Sequence, residues 1–235
     1  MLFEITDRQL TLLIALPVAA IIFVILGILI LRRDKDYLGN KCFALFFWLS
    51  ALGLGFNLMY LFSTNIPLVK YGNLASIQSV NASVVALLFG TLVLYKGETE
   101  IVQNKKSLVL LIAFIAAIVF QCLIPDSIIV VEPEPGSLDP TWSIPYGLTV
   151  LVFTQLIMIA IIVLSAQLFK DFSAEIKKKF SLYLIGLIMA DITLLTITLD
   201  NLPILAELSS IFSYLNMLVI IGSILIYFGI VRRSQ

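Results

Sequence analysis

Seven nearly unbroken apolar runs divide the chain, at 10–31, 42–62, 74–95, 107–123, 146–169, 180–199 and 208–231, each separated from the next by a polar segment. A bilayer's hydrocarbon core is roughly 30 Å thick and takes about 20 residues to span as a helix, so each run is of spanning length. Ile, Val and Phe are frequent in these runs and favour strand in water. In lipid, however, only internal i to i−4 hydrogen bonds satisfy the backbone, and helix is expected throughout. The expected fold class is all-α: an integral membrane seven-helix bundle occupying residues 1–235 as a single domain.

The charged residues sharpen this picture. All fifteen Lys and Arg fall outside the runs, and Asp191 is the one acidic or basic residue inside any of them. Arg32, Arg33, Lys35 and Lys41, then Lys96, Lys105 and Lys106, then Lys170, Lys177, Lys178 and Lys179, and finally Arg232 and Arg233 lie on one side of the membrane. Only Arg8 and Lys70 lie on the other. By the positive-inside rule the amino terminus is expected outside and the carboxyl terminus in the cytoplasm, which requires an odd number of spans. Composition agrees: 60% hydrophobic and 13% charged residues, with a mean hydropathy of +1.08, leave too little polar surface for a water-soluble protein. The runs and their connections use the whole length, so no soluble catalytic domain and no enzymatic activity are expected. No basic tail points to nucleic acid.

The connections add detail. The first run follows Glu4 and Asp7, not a basic segment, and reads as a retained anchor rather than a signal peptide. The longest connection, 124–145, carries Asp126, Glu132, Glu134 and Asp139 without a base. Its β-branched stretch 128–131 is suited to pair with its own return limb across Pro133, Pro135, Gly136 and Pro140. It reads either as a cap over the outer mouth of the bundle or as a solvated acidic loop. Trp142 and Tyr146 just after it suggest an outer interfacial belt. Cys42 and Cys122 fall at opposite ends of their helices, about a bilayer apart, and read as small buried apolar residues, not a disulfide. With no His in the chain, no metal site is expected.

Asp191 carries what chemistry there is. An aspartate at the centre of a spanning helix costs roughly 2.5–3.5 kcal/mol on insertion scales, and such residues face the bundle interior and find partners. No Lys or Arg lies at its depth, so the partners are neutral amides and hydroxyls, a proton, a cation or a ligand amine. Asn57, Gln78, Asn81, Gln155, Tyr214 and Asn216 fall between the midplane and the outer half of helices two, three, five and seven. Together with Asp191 they form the candidate ligand-binding set. The same residues also fit interhelical packing glue, at about 0.6 kcal/mol per hydrogen bond, or one station of a proton or cation path.

Other groupings read structurally. Asn81-Ala82-Ser83 has the glycosylation pattern but lies within a span. Gly53 and Gly55 with Ala51 offer a small-residue surface for close helix contact. Pro17 predicts a kink in the first helix. Lys177, Lys178 and Lys179, like Arg32, Arg33, Lys105 and Lys106, face the cytoplasm as topology anchors or as a surface for lipid or a partner. Asn65-Ile66-Pro67-Leu68 after the second run is echoed by Asn201-Leu202-Pro203-Ile204 after the sixth. Lys41-Cys42-Phe43-Ala44-Leu45 is likewise echoed by Lys178-Lys179-Phe180-Ser181-Leu182. Duplication of helices one to three as five to seven, with the fourth as a linker, and chance similarity of apolar segments both fit this echo.

Several seven-helix families are set aside by their residues. A retinal pigment needs a lysine in the seventh helix, and 208–231 contains none, so no retinal cofactor is expected. The third run ends in Val93-Leu94-Tyr95-Lys96, the seventh lacks an Asn-Pro-x-x-Tyr motif, and no Pro-Gln dipeptide marks a sugar exporter. The chain resembles instead the seven-helix sensor module at the amino terminus of prokaryotic membrane histidine kinases. The resemblance is carried by the external start, by Leu31-Arg32-Arg33 closing the first helix and by Lys41-Cys42-Phe43-Ala44-Leu45-Phe46-Phe47 opening the second. It continues with the long fourth connection through Trp142 and Tyr146 and the ending Ile226-Tyr227-Phe228-Gly229-Ile230-Val231-Arg232-Arg233. It implies an input domain that passes a ligand or membrane signal through its last helix. Only Arg232 to Gln235 follow that helix here, so the expectation is a module without an output domain. The combined expectation is a receptor-like or sensor-like protein of a prokaryotic plasma membrane. It would bind a small ligand or cation in an outward-facing pocket, signal to a separate cytoplasmic partner, and be free to oligomerise. A small transporter or channel subunit with a three-one-three repeat, and a non-catalytic intramembrane scaffold, remain alternatives.

Overall fold

The computed structural model describes residues 7–61, 63–134, 137–202, 215 and 218–230. Among them the chain forms α1 (Asp7–Leu31), α2 (Leu38–Tyr60), α3 (Ile66–Lys96), α4 (Glu98–Gln103), α5 (Lys105–Cys122), β1 (Ile128–Glu134), β2 (Ser137–Trp142), α6 (Ile144–Asp171), α7 (Ala174–Asp200) and α8 (Leu218–Ile230). Helices α1, α2, α3, α5, α6 and α7 are long and apolar enough to cross a membrane, while α8 is apolar over 13 described residues. The architecture is an all-α membrane bundle carrying one small hairpin.

Local chemistry sets the boundaries that hydropathy misses. Helix α3 begins at Ile66, well before its apolar run, because Asn65 caps it: the Asn65 Oδ1 accepts from Leu68 N at 3.1 Å, and Pro67 lies in the first turn, where its missing N–H costs nothing. Asn65-Ile66-Pro67-Leu68 therefore opens α3 as much as it leaves α2. Helix α7 likewise begins at Ala174 and takes Lys177, Lys178 and Lys179 into its first turns. The short α4, absent from the hydropathy reading, is set off by Gly97 (φ +89°) and by Asn104, whose Oδ1 accepts from Lys106 N at 2.9 Å to cap α5. Helix α1 runs unbroken through Pro17.

Six helices follow one another around a ring in the order α1, α2, α3, α6, α7, α8, with α8 returning to α1. Helix α5 stands outside it against α3 and, more lightly, α6; 61% of the apolar window of α3 is buried but only 6% of that of α5. The ring centre is filled by Phe43, Phe47, Met158, Ile161, Tyr183, Leu187 and Ile226, each at most 2% exposed. Outward faces are continuous apolar stripes at helical spacing: Leu148, Val152, Leu156, Ile159 and Val163 on α6, and Ile185, Ile188, Ile192 and Leu195 on α7. In water such stripes would drive aggregation; in hydrocarbon they are the solvated surface.

The two triplets α1–α2–α3 and α6–α7–α8 are laid out alike. A Cβ on Gly90 of α3 would press on the ring of Phe43 of α2, and one on Gly229 of α8 would strike Tyr183 of α7, at nearly equal separations along the chain. Phe43 and Tyr183 then meet edge to face in the ring centre, 6.2 Å between centroids and 86° between planes. Helices α7 and α8 approach so closely that a Cβ on Gly186 would lie 2.5 Å from the Gly222 carbonyl oxygen. On α2 the expected small-residue surface is half right. A Cβ on Gly53 would meet the Ser76 carbonyl oxygen at 3.0 Å and Ala51 is buried, but Gly55 has open space beside it because its helical angle turns it away from α3.

At one end of the ring β1 pairs antiparallel with β2 in the register Ile128↔Trp142 to Val131↔Asp139, as the β-branched stretch suggested. The hairpin is fastened at its base: Trp142 N donates to Asn201 O at 2.8 Å, and Ser143 N donates to Ser127 O at 3.0 Å. The opposite end carries the basic connections. There the Arg33 guanidinium, past the end of α1, donates to the Tyr227 hydroxyl of α8 at 3.1 Å and lies 5.1 Å from its ring centroid, closing the ring. Lys177 lies over the Phe169 ring, Lys179 sits 3.9 Å from Glu175, and Arg32, Lys105, Lys106 and Lys178 are exposed. Cys42 and Cys122 are both free thiols. Cys122, expected to be buried, is exposed, because α5 packs on the ring by a narrow face only.

Candidate functional site

The polar interior is built in two parts. The first lies under the hairpin. Asn73 of α3, 3% exposed, accepts on Oδ1 from Trp142 Nε1 at 2.9 Å and donates through Nδ2 to the Tyr60 hydroxyl at 2.8 Å. That hydroxyl donates in turn to Asn57 Oδ1 of α2. One turn further along α3, Gln78 Nε2 donates to the Tyr146 hydroxyl of α6 at 3.2 Å. Asn81, fully buried, donates through Nδ2 to Gln78 Oε1 at 3.1 Å and to Gln121 Oε1 of α5 at 2.7 Å. Two short hydrogen-bonded chains thus form, one tying α2 and α3 to the hairpin and the other tying α3 to α5 and α6, and the edge-to-face contact of Trp142 with Tyr146 brings them side by side.

Trp142 and Tyr146 do not form an interfacial belt. Both are fully buried and stack edge to face at 5.5 Å, because Asn73 and Gln78 supply indole and phenol with partners that would otherwise have to be water. Burial of Asn81 also places the Asn81-Ala82-Ser83 triplet inside the bundle. The residues missing from the sequence-derived set are Tyr60, Asn73, Gln121, Trp142 and Tyr146. Their signal was the density of Asn, Gln, Tyr and Trp at one depth, readable only once the hairpin is known to fold back.

The second part is Asp191. It lies on the flank of the outward stripe of α7 formed by Ile188, Ile192 and Leu195, turned toward α6, where the carboxamide of Gln155 is its neighbour. The contact is incomplete: Asp191 Oδ1 and Gln155 Nε2 are both shut off from the surface, and neither has a hydrogen bond of good geometry among the described residues. Asn57, Gln78 and Asn81 do not converge on this pair, being engaged under the hairpin, while Tyr214 and Asn216 lie outside the described residues. Within reach of one another are an acceptor on Asp191 and a donor on Gln155, the complement of a ligand hydroxyl, while a ligand amine or small cation would be met by the Asp191 carboxylate oxygen alone. Among the described residues no group of three or more Cys, Asp or Glu gathers to hold a metal. No protein-family model matches the chain, and no curated protein matches it either.

Proposed function

We propose that this is a receptor-like or sensor-like multi-pass protein of a prokaryotic plasma membrane, without enzymatic activity. In this reading it has seven spans, its hairpin end outside and its basic end in the cytoplasm. The observation that carries the proposal is the unpaired Asp191 Oδ1 and Gln155 Nε2 between α6 and α7. Buried polar atoms at membrane depth are nearly always satisfied, and an intramembrane carboxyl with one oxygen unsatisfied beside its neighbour Gln155 is a site hypothesis by default. A small ligand or cation binding there would pull on α7. Helix α7 is locked to α8 through Gly186, Gly222 and Gly229, so the two would move together, and Tyr227 would carry the displacement to Arg33 at the basic face. A cytoplasmic partner would read that face, as the resemblance to histidine-kinase input domains implies.

Thermal unfolding of the detergent-purified protein against sodium, divalent cations, amines and a metabolite panel tests the proposal. A ligand selective for the folded state at a hundred times its Kd adds about 2.7 kcal/mol. The expected result is a saturable stabilisation in wild type that is lost in Asp191→Asn and in Gln155→Leu. A flat response in wild type overturns the proposal.

A second reading, a small transporter with a three-one-three repeat, draws on the like layout of the two triplets and on the position of α5 outside the ring. Uptake into liposomes holding this protein alone would decide for it.

A further inference from the structure

Because α5 leans on α3 and not on α2, a groove runs between α2 and α5 over the surface of α3. Leu45 and Leu49 of α2, Phe89 of α3, and Leu111 and Ile115 of α5 line it, and Val102 of α4 closes its basic end; its cavity is about 470 Å³. The volume falls within the range of small-molecule sites, roughly 300–1,000 Å³. Along α5 the lining extends from Ser107 to Ile118, about 17 Å at the helical rise, or about half the hydrocarbon thickness of a bilayer. The groove is therefore one leaflet deep, open sideways to the membrane, and almost free of polar groups except at its mouth.

The mouth is different. Asn104 and Ser107 line it, and exposed Lys105 and Lys106 stand between them in the chain, with exposed Lys41 beside the lining residue Cys42. One acidic group shares the mouth, Glu98, whose carboxylate accepts from the N–H of the lining residue Leu38 at 3.2 Å, and the three lysines outnumber it; Glu100 is paired with Lys96 at 3.2 Å. A hydrocarbon slot one leaflet long with a lysine cluster at its headgroup end fits one molecule class. We infer that the groove between α2 and α5 binds one acyl chain of an anionic phospholipid, whose phosphate is held by Lys41, Lys105 and Lys106. The site is separate from Asp191, and the inference stands or falls independently of the ligand proposed there.

Native mass spectrometry of the full chain in detergent, titrated with dioleoyl phosphatidylglycerol or dioleoyl phosphatidylcholine, tests it. One phosphatidylglycerol per chain is expected, held roughly tenfold or more tighter than phosphatidylcholine. Two variants separate chain from headgroup. Ala82→Phe, which fills the groove, should lose the bound lipid altogether, with thermal unfolding reporting that the variant is folded. Lys105→Gln/Lys106→Gln, which alters only exposed side chains, should erase the preference for phosphatidylglycerol while leaving stability unchanged. Equal retention of both lipids that neither variant alters would mean a nonspecific lipid shell and overturn the inference. A dimer mass in place of the lipid adduct, abolished by Ala82→Phe, would assign the groove to a second copy of the chain and overturn it as well.

Discussion

Asn73 holds two aromatic side chains at once, taking the Trp142 indole proton on its oxygen and giving an amide proton to the Tyr60 hydroxyl. Removing it strands a buried donor and a buried acceptor, and each unsatisfied group costs about 1–3 kcal/mol. Asn73→Ala is therefore expected to lower stability by about 2 kcal/mol or more in thermal unfolding, with the Trp142 emission shifting toward that of a hydrated indole. Asp191 behaves oppositely. It has no well-formed hydrogen bond to lose on Oδ1, so Asp191→Asn in ligand-free protein is expected to change stability by no more than about 0.6 kcal/mol. A loss of several kcal/mol would instead assign the aspartate to helix packing. In the sequence these two residues rank the other way round. Asp191 stands out as a lone charge in an apolar run, whereas Asn73 is one of several neutral amides, whose weight depends on what the folded chain places opposite it.

Between elements, the closest approach is that of α7 and α8, where backbone meets backbone at Gly186 and Gly222. A methyl group at Gly186 has nowhere to go except by parting the helices, and overpacking of this kind typically costs about 1–3 kcal/mol. Gly186→Ala should destabilise by that amount in thermal unfolding. Gly55→Ala, with open space beside it, should be neutral or slightly stabilising, since alanine is the better helix former. Equal effects at the two sites would contradict the α7–α8 contact. The hairpin is the other element that organises its surroundings. By returning Trp142 under its own base it supplies the indole to Asn73, so an acidic connection that in sequence reads either as a cap or as a solvated loop helps to complete the polar interior.

For the whole molecule, the testable matter is which end faces out. Cys122 is exposed at the hairpin end of α5, and Lys178 is exposed at the basic end of α7. In a Cys42→Ala background, a membrane-impermeant maleimide added to intact cells is expected to label Cys122. In a protein whose two native cysteines are replaced by alanine, Lys178→Cys should react only after the cells are opened. The reverse pattern would invert the topology and place the Asp191 ligand route on the cytoplasmic side.

The chain's hydropathy alone determined the class of solvent, the helical state of its long runs and the ends at which basic residues collect, because in hydrocarbon the backbone has a single way to satisfy itself and charge is excluded from the spans. The lone carboxyl at membrane depth was legible for the same reason. Tertiary structure decided what hydropathy is blind to. It set the helix order around the ring, put α5 outside it, and divided the expected polar set into a network under the hairpin and an incomplete pair at Asp191 and Gln155. An apolar run carries the same mean hydropathy whichever face it turns inward. Which amide meets which phenol is settled by helix rotation and close glycine contacts, and these exist only in the folded bundle.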